Sequence, residues 1–575
     1  MKRNTLTTAV LAGLTGLAGM VSVSNAVNVN PDGLGQVLLY PYYTTRGGND
    51  TLISVVNTTS RGKAVKIRFL EALNSREVLD FNIYMSPYDV WTAVATNIEW
   101  EGEERPGIRT FDTTCTVPYI FGNQGGNQPF LDFEFTGEKD DGGPQGLDRT
   151  ASGYIEIIEM ATMIEQPLSE PAEGSEGLVP WSAKHVDGVP RDCAFLESQW
   201  VLNATPPSIW GDQGDVFFGF EQPGTTGGLY GSASIVNVAS GTMFSYDATA
   251  IDGFWQDSLA TTHTRPDSLF PRVNSGSNAT SFIFQGGNLI TQTWPNIINS
   301  ADWNDPSLDS LDVGNLLAVN AVLTYDTLMN DYVTDVTDPE EMGFARTEWV
   351  LTFPTKRFHV DSEFSPFLPN AGFAIPPFSR TWHVDPDDGF MPPCEQFSFD
   401  NQTDPVEENW PTLTGLWDRE ERPDFEEVII PGTGPIVSPP PPGPPPPPGR
   451  PVFTICSEAS VLRFAADDFA PDASEILGEP LRDGEFRSLG YSNIANTFNE
   501  GWVRLDLATR PAQDPIGGQR ESLLADDNTG VLGLPVIGFG VTTFRNASVE
   551  GVDNFYGGTF RHRGSRQIFT GAGSP

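Results

Sequence analysis

Cations, histidines and cysteines are all scarce in this chain. Its 575 residues hold 33 Lys and Arg against 76 Asp and Glu, with 5 His and 4 Cys. The shortage of positive charge excludes a nucleic-acid binder, whose phosphate contacts need Lys and Arg, and disfavours an anionic membrane surface. The five histidines, His185, His263, His359, His383 and His562, form no HExxH motif and no pair at helical ligand spacing, so a zinc hydrolase is unsupported. His359 and His383 flank one β region, which leaves them free to approach one another, but the preferred reading of each is a solvated or packed histidine. No GxSxG elbow and no glycine-rich phosphate loop is present. Long apolar runs are also missing after the N-terminus, so no transmembrane helix is expected in the mature chain.

The one apolar run lies at the start. Met1-Lys2-Arg3-Asn4 is basic, Leu6 to Val23 carries no charge, and Ser24-Asn25-Ala26 offers small residues to a signal peptidase. Residues 1–26 therefore read as a secretory signal peptide, with the mature chain starting near Val27. Removing Lys2 and Arg3 lowers the net charge from −43 to about −45. The expected location is outside the inner membrane: extracellular or at the cell surface, or in the periplasm. Self-repulsion at this charge favours solubility, and carboxylates outside the cell meet divalent cations.

The expected fold class is mainly β: antiparallel β-sandwich domains with at least one helix and long irregular loops. Lys63 to Leu70 places Val65, Ile67 and Phe69 on one face and Lys66 and Arg68 on the other. Leu79, Phe81, Ile83 and Met85 repeat the alternation, and Asn74-Ser75-Arg76 supplies a turn, so the two runs read as a hairpin. With Thr51 to Val56 they outline a small sandwich over 27–104. Residues 105–575 read as a larger β-rich region of one or two units. Strands are expected at Phe130–Phe135, Tyr154–Met160, Gly228–Ala248, Trp349–Phe353, Trp502–Leu507 and Val536–Phe544. One helix is expected from Ser310 to Val333, on the spacing of Leu316, Val319, Leu323 and Leu328, with Ser310 as cap and Asp309 and Asp312 in the first turn. An acidic and proline-rich excursion spans 403–451, ending in Ser438–Pro451 with ten prolines in fourteen residues, an extended spacer.

Cys115, Cys193, Cys394 and Cys456 all fall in the exported part, where two disulfides are favoured over thiols. Three pairings are possible. Neighbour order, Cys115 with Cys193 and Cys394 with Cys456, closes one long excursion per bond. Calcium is the cofactor considered, on Asp385, Asp387 and Asp388 within Asp385-Pro386-Asp387-Asp388-Gly389, three carboxylates in one turn. Asp140-Asp141-Gly142 and Asp302-Trp303-Asn304-Asp305 are weaker versions. For catalysis the candidates are the carboxylate pairs Asp132 with Glu134, facing away from Phe133 and Phe135, and Glu156 with Glu159.

Gly33-Leu34-Gly35-Gln36-Val37-Leu38-Leu39-Tyr40-Pro41-Tyr42-Tyr43-Thr44, Asn74 to Asn82 and Ser86-Pro87-Tyr88-Asp89-Val90-Trp91 resemble a group of uncharacterised exported proteins of Gram-negative bacteria, most closely over residues 33–94. The resemblance implies an envelope or extracellular setting and brings neither catalytic residues nor a substrate. Together these features lead to a secreted or surface-displayed, non-enzymatic structural, matrix or adhesive protein. Its expected partner is an extracellular protein, a polysaccharide or another copy of itself. The alternatives are a secreted polysaccharide hydrolase using paired carboxylates and a carbohydrate- or calcium-binding module.

Overall fold

A computed structural model of the chain describes residues 26–163, 179–200, 221–222, 226–256, 263–295, 314–333 and 344–361. It also describes 377–378, 395–399, 416–418, 452–464, 474, 476–478, 500–510, 518–519, 523–525, 529–549 and 552–569. The fold is mainly β, with antiparallel sheets and few helices. No described helix is long and apolar enough to cross a membrane.

Two sheets face each other across the main core. Their strands are β1 (Asn28–Val29), β2 (Val37–Thr44), β3 (Asn49–Asn57), β4 (Gly62–Glu71), β5 (Glu77–Met85), β6 (Val90–Trp100) and β7 (Glu103–Arg109). Then follow β8 (Cys115–Val117), β9 (Asn127–Pro129), β10 (Ser152–Met163), β11 (Glu221–Gln222), β12 (Leu229–Asn237), β13 (Thr242–Asp247) and β14 (Thr249–Asp252). The first sheet runs β1-β14-β2-β10-β4-β5-β8, with β11 also on β10; the second runs β13-β12-β3-β6-β7-β9. Between them Tyr40, Val65, Ile67, Phe69, Phe81 and Ile83 of the first sheet meet Ile53, Val55, Trp91, Ala233 and Ile235 of the second. The hairpin expected from alternation is β4–β5, and Ile67 pairs with Phe81 across it.

The expected boundary after residue 104 falls inside β7, and both sheets recruit strands up to residue 252. The sandwich is therefore larger than residues 27–104. Phe130–Phe135 is not a strand: β9 ends at Pro129, and a turn follows in which Phe130, Glu134 and Phe135 are buried and Phe133 is exposed. Alternation over six residues does not form a strand without a partner edge, and β9 pairs with β7 only through Gln128 and its two neighbours.

Part of the later chain covers the outside of the first sheet, and part extends the main core. Helix α1 (Cys193–Ser198) is bonded through Cys193 to Cys115 of β8, with Cα atoms 5.1 Å apart. This is the first pairing expected from neighbour order. Cys456 is also disulfide-bonded; its expected partner Cys394 lies outside the described residues, next to Glu395, which pairs with Ile455. Helix α2 (Gly314–Leu323) is buried at all ten positions and packs on Val37, Leu39, Ile158 and Ile251. It is shorter than the expected Ser310–Val333 helix. Thr327 to Val333 forms β15 instead, pairing with β18 (Glu500–Asp506) after β16 (Phe344–Thr352), α3 (Arg357–Val360) and β17 (Ala459–Phe464). Leu328 and Tyr332, four residues apart, share a face in a strand as well as in a helix. Aromatic and β-branched Tyr325, Thr327, Tyr332 and Val333 favour the strand. Ser310, Asp309 and Asp312 lie outside the described residues. A four-stranded sheet, β17-β16-β19-β20, adds β19 (Ile537–Val549) and β20 (Val552–Arg561); its Val350, Val461, Phe539 and Val541 join the main core.

Candidate functional site

The outer face of the first sheet is a sealed ionic layer. Lys66 and Arg68 of β4 point away from the core, as alternation requires, yet both are buried. Register places acids beside them, with Arg68 opposite Asp80 on β5 and opposite Glu156 on β10. Arg68 Nε is 2.6 Å from Glu77 and its Nη1 is 2.7 Å from Glu156. Arg357, carried in by α3, reaches the other oxygen of Glu156 at 3.0 Å and donates to the Ser75 carbonyl at 2.7 Å. Lys66 pairs with Asp80 and donates to the carbonyls of Arg265 and Pro266. Burial raises Asp80 and lowers Lys66, while each partner's charge opposes the shift. Arg272 is lowered to about 9 by burial and by the nearby Arg68 and Arg357.

A second knot adjoins it. Arg149 binds Glu71 at 3.1 Å and Asp141 at 2.6 Å, and Arg76 reaches Asp361 at 3.4 Å. Burial works to raise Glu71 and Asp141, but Arg149 outweighs it and holds both carboxyls low. Glu458 has no such excess of partners: burial lifts it to about 7 against the charges of Lys356 and Arg357.

These contacts place the expected catalytic carboxylates. Glu156 engages an arginine with each oxygen. Glu159 lies at the sandwich end, held by Lys63 at 2.6 Å, Thr162 and the Thr226 and Gly227 amides. Glu134 is buried against Lys139, and Asp132, on the turn after β9, does not share a strand face with it. None of these acids lines the two cavities described below. Asp141 of the Asp140-Asp141-Gly142 turn is committed to Arg149. Asp385, Asp387 and Asp388, the expected calcium ligands, lie outside the described residues, as do Asp302, Asp305 and His383. Among the described residues no three His, Cys, Asp or Glu are grouped to hold a metal.

Sequence reasoning missed one nucleophile-like group. Ser86 Oγ lies 3.0 Å from His185 Nδ1, and Asp89 lies 3.6 Å from the same nitrogen. A relay needs the base to face the serine with one ring nitrogen and the acid with the other. Here both meet Nδ1, so the trio ties the turn after β5 to the short hairpin of His185–Val186 and Val189–Pro190 without activating Ser86.

The outer face of the second sheet is open. On β3, β6 and β12 the even-numbered residues point outwards: Leu52, Ser54 and Val56; Val90, Thr92 and Val94; Tyr230, Ser232 and Ser234. Cross-strand pairs align them, Ser232 with Ser54 and Ser54 with Thr92, Ser234 with Leu52 and Leu52 with Val94. The result is a flat field of hydroxyl and aliphatic groups. Beyond β7 the chain turns across its rim: Asp112 accepts from the Thr92 amide at 3.0 Å and the Thr114 amide at 2.9 Å, and Thr110 donates to the Thr92 carbonyl at 2.7 Å. That brace holds Phe111 upright with 78% of its surface exposed. Between Phe111 and the field lies a shallow groove of about 520 Å³, with Arg109 and Asp112 as its charged lining. A second cavity of about 320 Å³ lies between β13–β14 and β19–β20. Burial lowers its His562 to about 4. Serine and threonine at alternating positions carry no motif, so only the pattern of exposed Ser and Thr on three strands could have flagged the groove.

Comparison with protein families, with curated proteins and with solved structures finds no match.

Proposed function

We propose that this chain is an exported, non-enzymatic protein of a structural, matrix or adhesive kind, working through the outer face of its second sheet. The observation that carries the reading is the contrast in availability. Glu134, Glu156 and Glu159, the buried acids expected as catalytic groups, are closed into ion pairs, while the second sheet presents an ordered apolar and hydroxyl surface to solvent. Leu52, at 45% exposed, Val90, Tyr230 and Phe111 are exposed large apolar side chains of that face. The Ser232–Ser54–Thr92 row lies between Leu52 and the Tyr230–Val56–Val90 row, and exposed apolar surface rimmed by polar residues marks interaction sites. The N-terminal signal pattern, the net charge of −43, the Cys115–Cys193 bond and the resemblance to exported proteins support the setting.

Fractionation of producing cells tests it. The chain, processed near Val27, is expected in the extracellular or surface fraction, associated with matrix. A soluble cytoplasmic pool with an intact N-terminus contradicts the reading.

A further inference from the structure

We infer that the groove beside Phe111 is a binding site for a neutral polysaccharide chain. The inference rests on the non-enzymatic reading and gives its surface a ligand class. The lining decides the chemistry. The strands under the groove pair with their neighbours, and the Thr92 amide and carbonyl at the rim are taken by Asp112 and Thr110, so a ligand engages side chains and not backbone. Those side chains are the hydroxyls of Ser54, Thr92, Ser232 and Ser234, alternating with the aliphatic Leu52 and Val94. Ser54 bonds to Ser232, Ser234 to Ser245 and Thr92 to Asp112, and each hydroxyl oxygen keeps lone-pair capacity to accept from a ligand. A pyranose has the same mixed character, with hydroxyls at its edge and C–H groups on its faces. Phe111 supplies the stacking surface, held by the Asp112 brace and not by crowding neighbours, so its ring is positioned before the ligand arrives.

Charge narrows the class further. Arg109 and Asp112 are of opposite sign, so the groove has no net charge. The molecule around it is at −43. Anionic glycans and nucleic acids are repelled on approach, whereas a neutral chain is not. The groove is open along the sheet and about 520 Å³ in volume, which suits an internal stretch of a polymer.

The test uses the full chain and calorimetric titration with linear neutral hexasaccharides of glucose, mannose and galactose, with oligogalacturonate as the acidic probe. At least one neutral hexasaccharide is expected to bind, and the acidic one to bind more weakly. Phe111→Ala is expected to weaken binding about tenfold, the loss of one aromatic contact. Ser234→Leu, which fills the groove, is expected to abolish it, both with unchanged melting temperature. No binding at millimolar sugar, equal binding by Phe111→Ala, or preference for the acidic probe would overturn the site. So would sedimentation showing that Phe111→Ala merely dissociates an oligomer that binds no sugar. Release of reducing ends from a bound hexasaccharide leaves the site standing and overturns the non-enzymatic reading. A chain found in the extracellular matrix that binds no sugar does the reverse.

Discussion

The two sheets of the sandwich share one core and differ in what lies behind them. In the first sheet β2, β4 and β10 are buried at every position. In the second, β3 and β12 alternate between buried and partly exposed residues. The sequence of β4 alternates more cleanly than that of β3, whose outward positions include Leu52 and Val56, yet β4 is the strand buried on both faces, so periodicity does not tell the sheets apart. The kind of polar residue does. β4 carries full charges that meet opposite charges in register, Arg68 against Asp80 and Glu156. β3 carries Ser54 and Leu52, which meet Ser232, Thr92 and Val94. Matched charge marks a face that later chain will close, because a desolvated ion must be paired. Neutral hydroxyls beside aliphatics mark a face that tolerates water without a covering element.

The strongest way to break this comparison is to remove a charge from the sealed face. Arg68→Met leaves Glu77 and Glu156 short of a partner, and denaturant unfolding should show a loss of about 3–5 kcal/mol. Ser54→Ala on the open face should change stability by no more than about 0.5 kcal/mol. Equal effects would remove the distinction. Next, Cys115→Ser with Cys193→Ser opens a loop with a sequence separation of 78. It should cost about 2–4 kcal/mol, leaving sugar binding at the opposite sheet intact once folded.

A smaller effect concerns pH. Burial lifts folded Glu458 to about 7, whereas an unfolded glutamate titrates near its ordinary value. The folded state thus holds a proton that the unfolded chain releases, and its stabilising contribution is full below about pH 4 and lost as pH rises towards 7. Glu458→Gln lacks that decline, so melting curves of the two proteins should diverge between pH 5 and 7 with the variant ahead at neutrality. Parallel curves would show Glu458 ionised throughout. Smallest of all, Leu52→Lys should leave melting almost unchanged while weakening sugar binding, which separates recognition from stability on the open face.

Much of the sandwich was legible in the sequence. The two-residue period of Val65, Ile67 and Phe69 named both the β4–β5 hairpin and its core face, since a strand has no other way to bury one side. The Cys115–Cys193 bond followed from compartment and order. The sealing of Lys66 and Arg68 was not legible, because the groups that close over them, Glu156 and Arg357, lie 88 and 289 residues beyond Arg68 and nothing local announces them. For the same reason Glu156 and Glu159 looked available to a substrate. Helix α2 was placed, but its end was not: Leu328 and Tyr332 fit both periods, and pairing with β18 made the choice. The groove was invisible to motif reading, since its parts come from β3, β6, β12 and the Phe111 turn, and serine carries no spacing rule.

Hydroxyl-radical footprinting of the purified chain, with and without a neutral hexasaccharide, tests the contrast between the faces most directly. The account predicts rapid oxidation of Phe111, Tyr230 and Leu52 in the free protein, protection of Phe111 and Leu52 by the sugar, and little reaction at Tyr84 and Tyr154 of the sealed face in either state. Oxidation of Tyr84 and Tyr154 as fast as that of Phe111, or a Phe111 rate that the sugar leaves unchanged, would contradict it.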